Sequence, residues 1–156
     1  MPSLERETFV PAPRTEVFAF FSDPVNLARI TPHTLGFEIV EAPRRTLRRG
    51  DRIRYRIRIL GIPLPWTSKI AEWKPGSSFV DEQERGPYRR WRHEHVLRDS
   101  NSGTLMIDRV DYELPLGLLG RMFGGWWVRR NLRHIFDYRA RAISEIFPDR
   151  AMSSPL

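Results

Sequence analysis

Residues 51–60, DRIRYRIRIL, place Ile53, Tyr55, Ile57 and Ile59 in strict alternation with Arg52, Arg54, Arg56 and Arg58. A period of two belongs to a β-strand, whose successive side chains point to opposite faces. Four unpaired arginines inside a core would cost more than folding can offset. The arginine face is therefore outside and the Ile/Tyr face inside. The chain must build a sheet with one wet and one buried face. Such a sheet is antiparallel and needs a second layer against its apolar side.

Strand patterns also occupy 4–10, 36–42, 66–73, 77–84, the stretch that opens with YRRWRHEH (88–95), and 104–114, joined by turn-rich segments such as GIPLP (61–65), KPGS (74–77), RGPY (85–88) and DSNSG (99–103). Short turns make neighbours antiparallel. Between the first two strands, RTEVFAFFSD reads as a short helix capped by Thr15, with Val17, Phe18, Phe20 and Phe21 on its apolar side. DPVNLARI restarts with Asp23 as N-cap and Pro24 at the first helical position. From Leu118 the period changes to that of a helix: Val128, Leu132, Ile135, Phe136, Ala142, Ile143 and Ile146 form one stripe. An interruption is expected at Gly124-Gly125, where two glycines lower helix propensity. One domain over residues 1–150 is predicted, with a frayed tail at 151–156. The fold class is α+β, a sheet covered by a long C-terminal helix.

The same logic orients YRRWRHEH. Arg90, Arg92 and Glu94 belong outside, so Trp91, His93, His95 and Leu97 face in. Setting Phe79 inside brings Asp81 and Gln83 with it. In the last strand, Thr104, Met106, Asp108, Val110 and Tyr112 form the inward set. The predicted interior thus holds Asp81, Gln83, His93, His95 and Asp108 among Tyr55, Trp66, Phe79, Trp91 and Tyr112. A packed core seldom holds so many polar groups, because each needs a buried partner. A partly wet cavity between sheet and helix holds them readily. Those ten residues are the predicted ligand-binding set.

The net charge of +7 comes from arginine, since every basic residue but Lys69 and Lys74 is one. The outward face mixes signs, with Glu82, Glu84, Arg90, Arg92, Glu94, Arg109, Asp111 and Glu113. That suits cross-strand pairing and argues against a phosphate-binding surface. No nucleic-acid partner is expected. The absence of cysteine excludes disulfides and thiolate chemistry. No apolar run has the length of a membrane span, and MPSLERETFV lacks an apolar signal core, so a cytoplasmic protein without integral membrane association is expected.

VPAPRTEVFAFFSDPVNLARITP (10–32) is similar to the opening of the START-like, birch-allergen-like superfamily known as SRPBCC. FVDEQERGPYRRWRHEHVL (79–97) and GTLMIDRVDYELPLG (103–117) resemble a bacterial subgroup described as ligand-binding or polyketide cyclase/dehydrase-like. The resemblance covers residues 4–147. It implies the helix-grip fold: a seven-stranded antiparallel sheet curled around a long C-terminal helix, with two short helices between strands 1 and 2 and a hydrophobic ligand cavity between sheet and helix. It transfers no catalytic motif.

The leading expectation is a protein that binds a small hydrophobic molecule, with His93, His95, Asp81 and Asp108 reading its polar end. The second is a cyclase or dehydratase in which His93, His95 or Asp108 takes part in acid–base work and Tyr55 or Tyr112 polarises a carbonyl. The third is an interaction protein using the arginine face. His93-x-His95 with Asp81 or Asp108 also meets the minimum for three metal ligands, but hydrogen-bonded polar lining is the commoner meaning of that pattern. No metal and no cofactor is expected. Trp126 and Trp127 are expected to pack.

Overall fold

The computed structural model describes residues 1–149; the expectation of a frayed tail at 151–156 lies outside them. Among the described residues, β1 (Ser3–Val10) leads to α1 (Arg14–Phe21) and to 3₁₀ segments at Pro24–Ile30 and His33–Leu35. Then come β2 (Glu38–Glu41), β3 (Arg52–Ile59), β4 (Ile62–Lys74), β5 (Ser78–Arg85), β6 (Arg90–Ser100), β7 (Gly103–Glu113) and α2 (Gly117–Ile146). The strands make one antiparallel seven-stranded sheet in the order β1-β7-β6-β5-β4-β3-β2. β2 to β7 form a meander, and β1 closes its far edge against β7. Register shifts in β4 near Thr67/Ser68 and Ile70/Glu72 set an extra residue into one strand. Such bulges bend a sheet and raise its twist, here turning it around α2.

The segment GIPLP is not a turn. The chain reverses at Leu60 and Gly61 alone, and β4 begins at Ile62. Both turn residues have positive φ, 51° and 77°, the pattern of a type I′ hairpin. Pro63 and Pro65 pair with Arg58 and Arg56 of β3, while β5 begins pairing with β4 only at Thr67. The prolines thus lie where β4 has no neighbour on its other side, the setting in which a missing N–H costs no ladder bond.

Asp23 behaves as expected: its carboxylate accepts the Val25 N–H at 3.0 Å, with Pro24 at the first position, although the segment is 3₁₀ rather than α. Thr15 does not cap α1. The helix starts one residue earlier, and the Pro13 carbonyl accepts the Glu16 and Val17 N–H groups at 3.0 and 3.1 Å. α2 runs unbroken through Gly124-Gly125. The glycine that matters is Gly120, where a Cβ would stand 2.1 Å from the Pro115 carbonyl oxygen. Only glycine lets the helix start fold that close to the preceding strand exit.

Two apolar clusters fix α2 on the concave face. Val128, Leu132 and Phe136 pack with Val110, Tyr112 and Leu114. Ile143 packs with Val17, Phe18, Phe20, Phe21, Phe79, Leu97 and Met106. Arg6 of β1 is ion-paired with Asp137 on the outer side of α2. On the convex face Arg52 pairs with Glu84, Arg54 with Glu41, Arg92 with Glu72, and Arg109 with Glu5. The mixed-sign surface is thus used for pairing between strands. No helix of the described residues is long and apolar enough to cross a membrane.

Candidate functional site

Strand register builds the centre of the concave face. His93 and His95, two apart on β6, leave the same side of the sheet. Asp81 on β5 is directly opposite His93, and Asp108 on β7 is directly opposite His95. Neighbouring strands are about 4.8 Å apart, so the four side chains close into a square of alternating imidazole and carboxylate. His93 Nε2 lies 2.8 Å from Asp108 Oδ1, and His95 Nε2 lies 3.1 Å from Asp81 Oδ2. The directly opposite pairs make no hydrogen bond. His93 Nδ1 is 3.7 Å from Asp81 Oδ2; His95 Nδ1 is 2.9 Å from Asp108 Oδ1 but off the line a hydrogen bond requires, and has no other partner. The two rings stand 3.7 Å apart, and Phe79 stacks on His95 at 4.1 Å.

A fifth group comes from α2. Arg139, nine-tenths buried, brings Nη1 to 3.8 Å from Asp108 Oδ1 and lays its guanidinium over the Phe136 ring. Its Nε and Nη1 make no hydrogen bond. Burial lowers the His93 pKa and the neighbouring His95 charge adds to this; together they outweigh the aspartates and bring it to about 4. Burial opposes charge on His95 as well, but Asp108 and Asp81 outweigh it and raise that imidazole above its ordinary value. Burial alone would raise both carboxyls; the histidines, and at Asp81 also Arg139, reverse this and hold them below the usual carboxylate range. The two imidazoles are thus shifted in opposite directions, His93 toward its neutral form and His95 toward its protonated one.

The square opens onto a cavity of about 420 Å³ between the sheet and α2. Its walls are mostly apolar. Tyr55 stacks on Trp66, Trp66 meets Trp91 edge-on at 5.3 Å, and Tyr88 leans on both tryptophans. Ile53, Ile57 and Ile70 continue the sheet side, Phe20, Phe21 and Ile30 close one end, and Val128, Leu132 and Phe136 roof it. Ser68 links wall to cluster: it accepts the Trp66 Nε1–H at 3.1 Å, lies 3.4 Å from the Tyr55 hydroxyl, and donates to Asp81 Oδ1 at 3.5 Å. Burial pushes the Tyr55 and Tyr88 hydroxyls above the ordinary tyrosine value.

Of the ten residues chosen from sequence, Tyr55, Trp66, Phe79, Asp81, Trp91, His93 and His95 line this cavity. Gln83, Asp108 and Tyr112 do not. The Gln83 amide donates to the Tyr88 carbonyl at 2.7 Å and accepts the Tyr88 N–H at 3.2 Å, so it closes the β5–β6 turn. Asp108 sits behind the histidines, 2 % exposed. Tyr112 is inside the apolar cluster under α2. Sequence reasoning missed Arg139, Ser68, Tyr88 and Asn131, all at the cavity wall. Arg139 carried a signal: it falls on the apolar helical stripe, seven residues after Leu132 and four before Ile143, where a charge demands a partner. Trp127 lines the cavity, but Trp126 does not pack; it is 73 % exposed.

A family model described as polyketide cyclase/dehydrase and lipid transport matches residues 10–136, most of the chain. The chain belongs to that family. The match runs from the end of β1 to Phe136 of α2 and takes in every member of the square. No curated protein matches. Solved structures share the family's helix-grip fold at low identity. Protein CV1439 from Chromobacterium violaceum has a TM-score of 0.73 at 14 % identity, over 94 % of this chain and 98 % of that one. The Zhui aromatase/cyclase from Streptomyces has 0.72 at 18 %, over 96 % and 95 %. Ara h 8.0201 has 0.64 at 16 %, over 94 % and 97 %. The SRPBCC resemblance is thereby established, and the helix-grip fold with it.

Proposed function

We propose that this family member takes up a small, largely hydrophobic molecule with one polar end, of the lipid, polyketide or aromatic class, in the cavity beneath α2. One observation carries the proposal: a mostly apolar cavity of about 420 Å³ with the Asp81, His93, His95 and Arg139 cluster set in its wall, Asp23 and Arg58 being the other charged residues that line it. That volume lies within the ~300–1,000 Å³ of small-molecule sites, which likewise pair apolar walls with few convergent polar groups. The Tyr55, Trp66, Tyr88 and Trp91 wall supplies contact area. His93, His95, Asp81 and Arg139 meet the polar end. The family's description, which joins cyclase/dehydrase and lipid-transport members, supports the same class of guest.

The test is mass spectrometry of purified protein under native and then denaturing conditions, followed by titration of acyl and aromatic compounds read by tryptophan fluorescence. A discrete released mass, or saturable quenching that weakens in His93→Ala, is the expected result. A bare protein that no compound in the panel quenches would refute the proposal.

A second reading, turnover, is favoured by one feature. The His93 and His95 rings face the same apolar cavity 3.7 Å apart, and their surroundings shift their proton affinities in opposite directions, the kind of divergence that separates a base from an acid in a cyclisation with loss of water. On that reading His93→Gln abolishes turnover of a polyketide-like substrate while leaving its binding in place; equal loss of both would leave binding as the whole function.

A further inference from the structure

The square is more than a set of paired charges, because its two carboxylates are not equivalent. Asp81 faces the cavity together with both rings; Asp108 lies behind them. His93 Nδ1 and His95 Nε2 both point toward Asp81 Oδ2, at 3.7 and 3.1 Å. Donor atoms about 2.1 Å from one ion in tetrahedral geometry stand ~3.4 Å apart, and these separations straddle that value. One ligand atom from each of Asp81, His93 and His95 falls within 4.8 Å of the other two. The far nitrogens, His93 Nε2 and His95 Nδ1, both lie within 2.9 Å of a single Asp108 oxygen. His93 is held as metal-ligating histidines are, its ring nitrogen away from the ion bonded to a carboxylate that fixes tautomer and orientation; His95 Nδ1 reaches the same oxygen without the alignment of a hydrogen bond. A purely hydrogen-bonded square explains less, since His93 Nδ1 is beyond hydrogen-bond reach of the carboxylate it faces.

We propose that Asp81, His93 and His95 form a mononuclear site for a divalent first-row transition ion, with Asp108 orienting His93 and standing beside His95 Nδ1, and Arg139 offsetting the charge of Asp108. Two imidazoles and one carboxylate suit zinc, iron(II) or cobalt(II). The site lacks the thiolates that select softer ions and the all-oxygen shell that calcium and magnesium prefer. All three ligands line the cavity, so the ion keeps a coordination position open on that side. Two carboxylates, Arg139 and a divalent ion sum to one net positive charge, which an anionic oxygen at that position would neutralise. The ligands come from the protein alone, so the site stands apart from the identity of any cavity guest.

The experiment uses the full chain, stripped with chelator and titrated with cobalt(II) chloride, then zinc chloride. One equivalent of cobalt is expected to give visible d–d bands that zinc abolishes. Asp81→Asn, His93→Gln and His95→Gln each remove the bands, and Asp108→Asn weakens affinity by about 10- to 100-fold. Joint replacement of the two other histidines, His33→Gln and His134→Gln, both at exposed positions, leaves the titration unchanged. Circular dichroism checks that each variant is folded. X-ray absorption of zinc-loaded wild type counts imidazole ligands without any substitution. No saturable uptake by wild type, uptake that survives in folded His93→Gln, or a spectrum without imidazole scattering would overturn the site.

Discussion

β3 and β6 obey the same two-residue period, yet β3 is a plain boundary between solvent and core while β6 carries the chemistry. Ile53 and Ile57 of β3 are buried, its arginines are exposed, with Arg58 at the cavity's edge, and Tyr55 faces Trp66 across the β3–β4 pair. In β6 the inward residues are His93, His95 and Leu97, and the residues opposite the histidines are Asp81 and Asp108. Alternation decides which face a side chain takes. Cross-strand register decides what it meets there, and so whether that face is a wall or a reactive cluster.

The largest consequence falls on β6's neighbour. Asp108→Ala leaves His93 and Arg139 buried without their carboxylate and removes the second carboxylate beside His95, and urea denaturation should show a loss of about 3–5 kcal/mol. Ile57→Ala in β3 should cost about 2–4 kcal/mol by cavity formation. The two losses differ in kind. The Ile57 loss should be the same at every pH, whereas the Asp108 loss should depend on pH. Equal, pH-independent losses would erase the contrast between the strands.

The cluster's own pH dependence follows from opposed histidine shifts and is to be measured in chelator. Folded His93 titrates near 4 against 6.5 when unfolded, so the unfolded chain binds the extra proton between these values and stability falls as pH drops through that window. His95 is raised; its contribution is full below 6.5 and is lost as pH rises through its folded value. Stability should therefore peak near neutrality. His93→Gln should remove the decline between about 6.5 and 4, and His95→Gln the decline on the alkaline side. Below that, the Asp81 and Asp108 contributions are lost as these lowered carboxyls protonate.

Smaller effects test the edges. Leu60 holds a φ of 51° in its hairpin turn and is 82 % exposed. Leu60→Asn should stabilise by about 1 kcal/mol by relieving a left-handed conformation that a bulky side chain resists. Trp126→Ala, on the exposed first turns of α2, should change stability by no more than ~0.5 kcal/mol. A larger loss would mean that this tryptophan packs, as its sequence suggested.

The residues themselves determined much of this protein. Strict alternation in β3 set the sheet's inside and outside, because buried unpaired arginine is too costly. The same argument turned His93 and His95 inward, and seven of the ten chosen residues do line the cavity. The apolar stripe from Val128 to Ile146 marked the covering helix, and Asp23-Pro24 marked a segment start. What local pattern could not reach depended on neighbours. Pro63 and Pro65 sit in a strand because β5 begins pairing only at Thr67. The glycine pair does not interrupt α2, because the helix is held by packing further along. Gln83 turns to the Tyr88 backbone, and Asp108 lies behind the rings. Arg139 enters a cluster made of residues about thirty or more positions away in the chain. Burial, register and the meeting of distant groups are properties of the assembled sheet and helix. Tertiary structure alone therefore decided that two histidines, two aspartates and an arginine form one centre beside an apolar cavity.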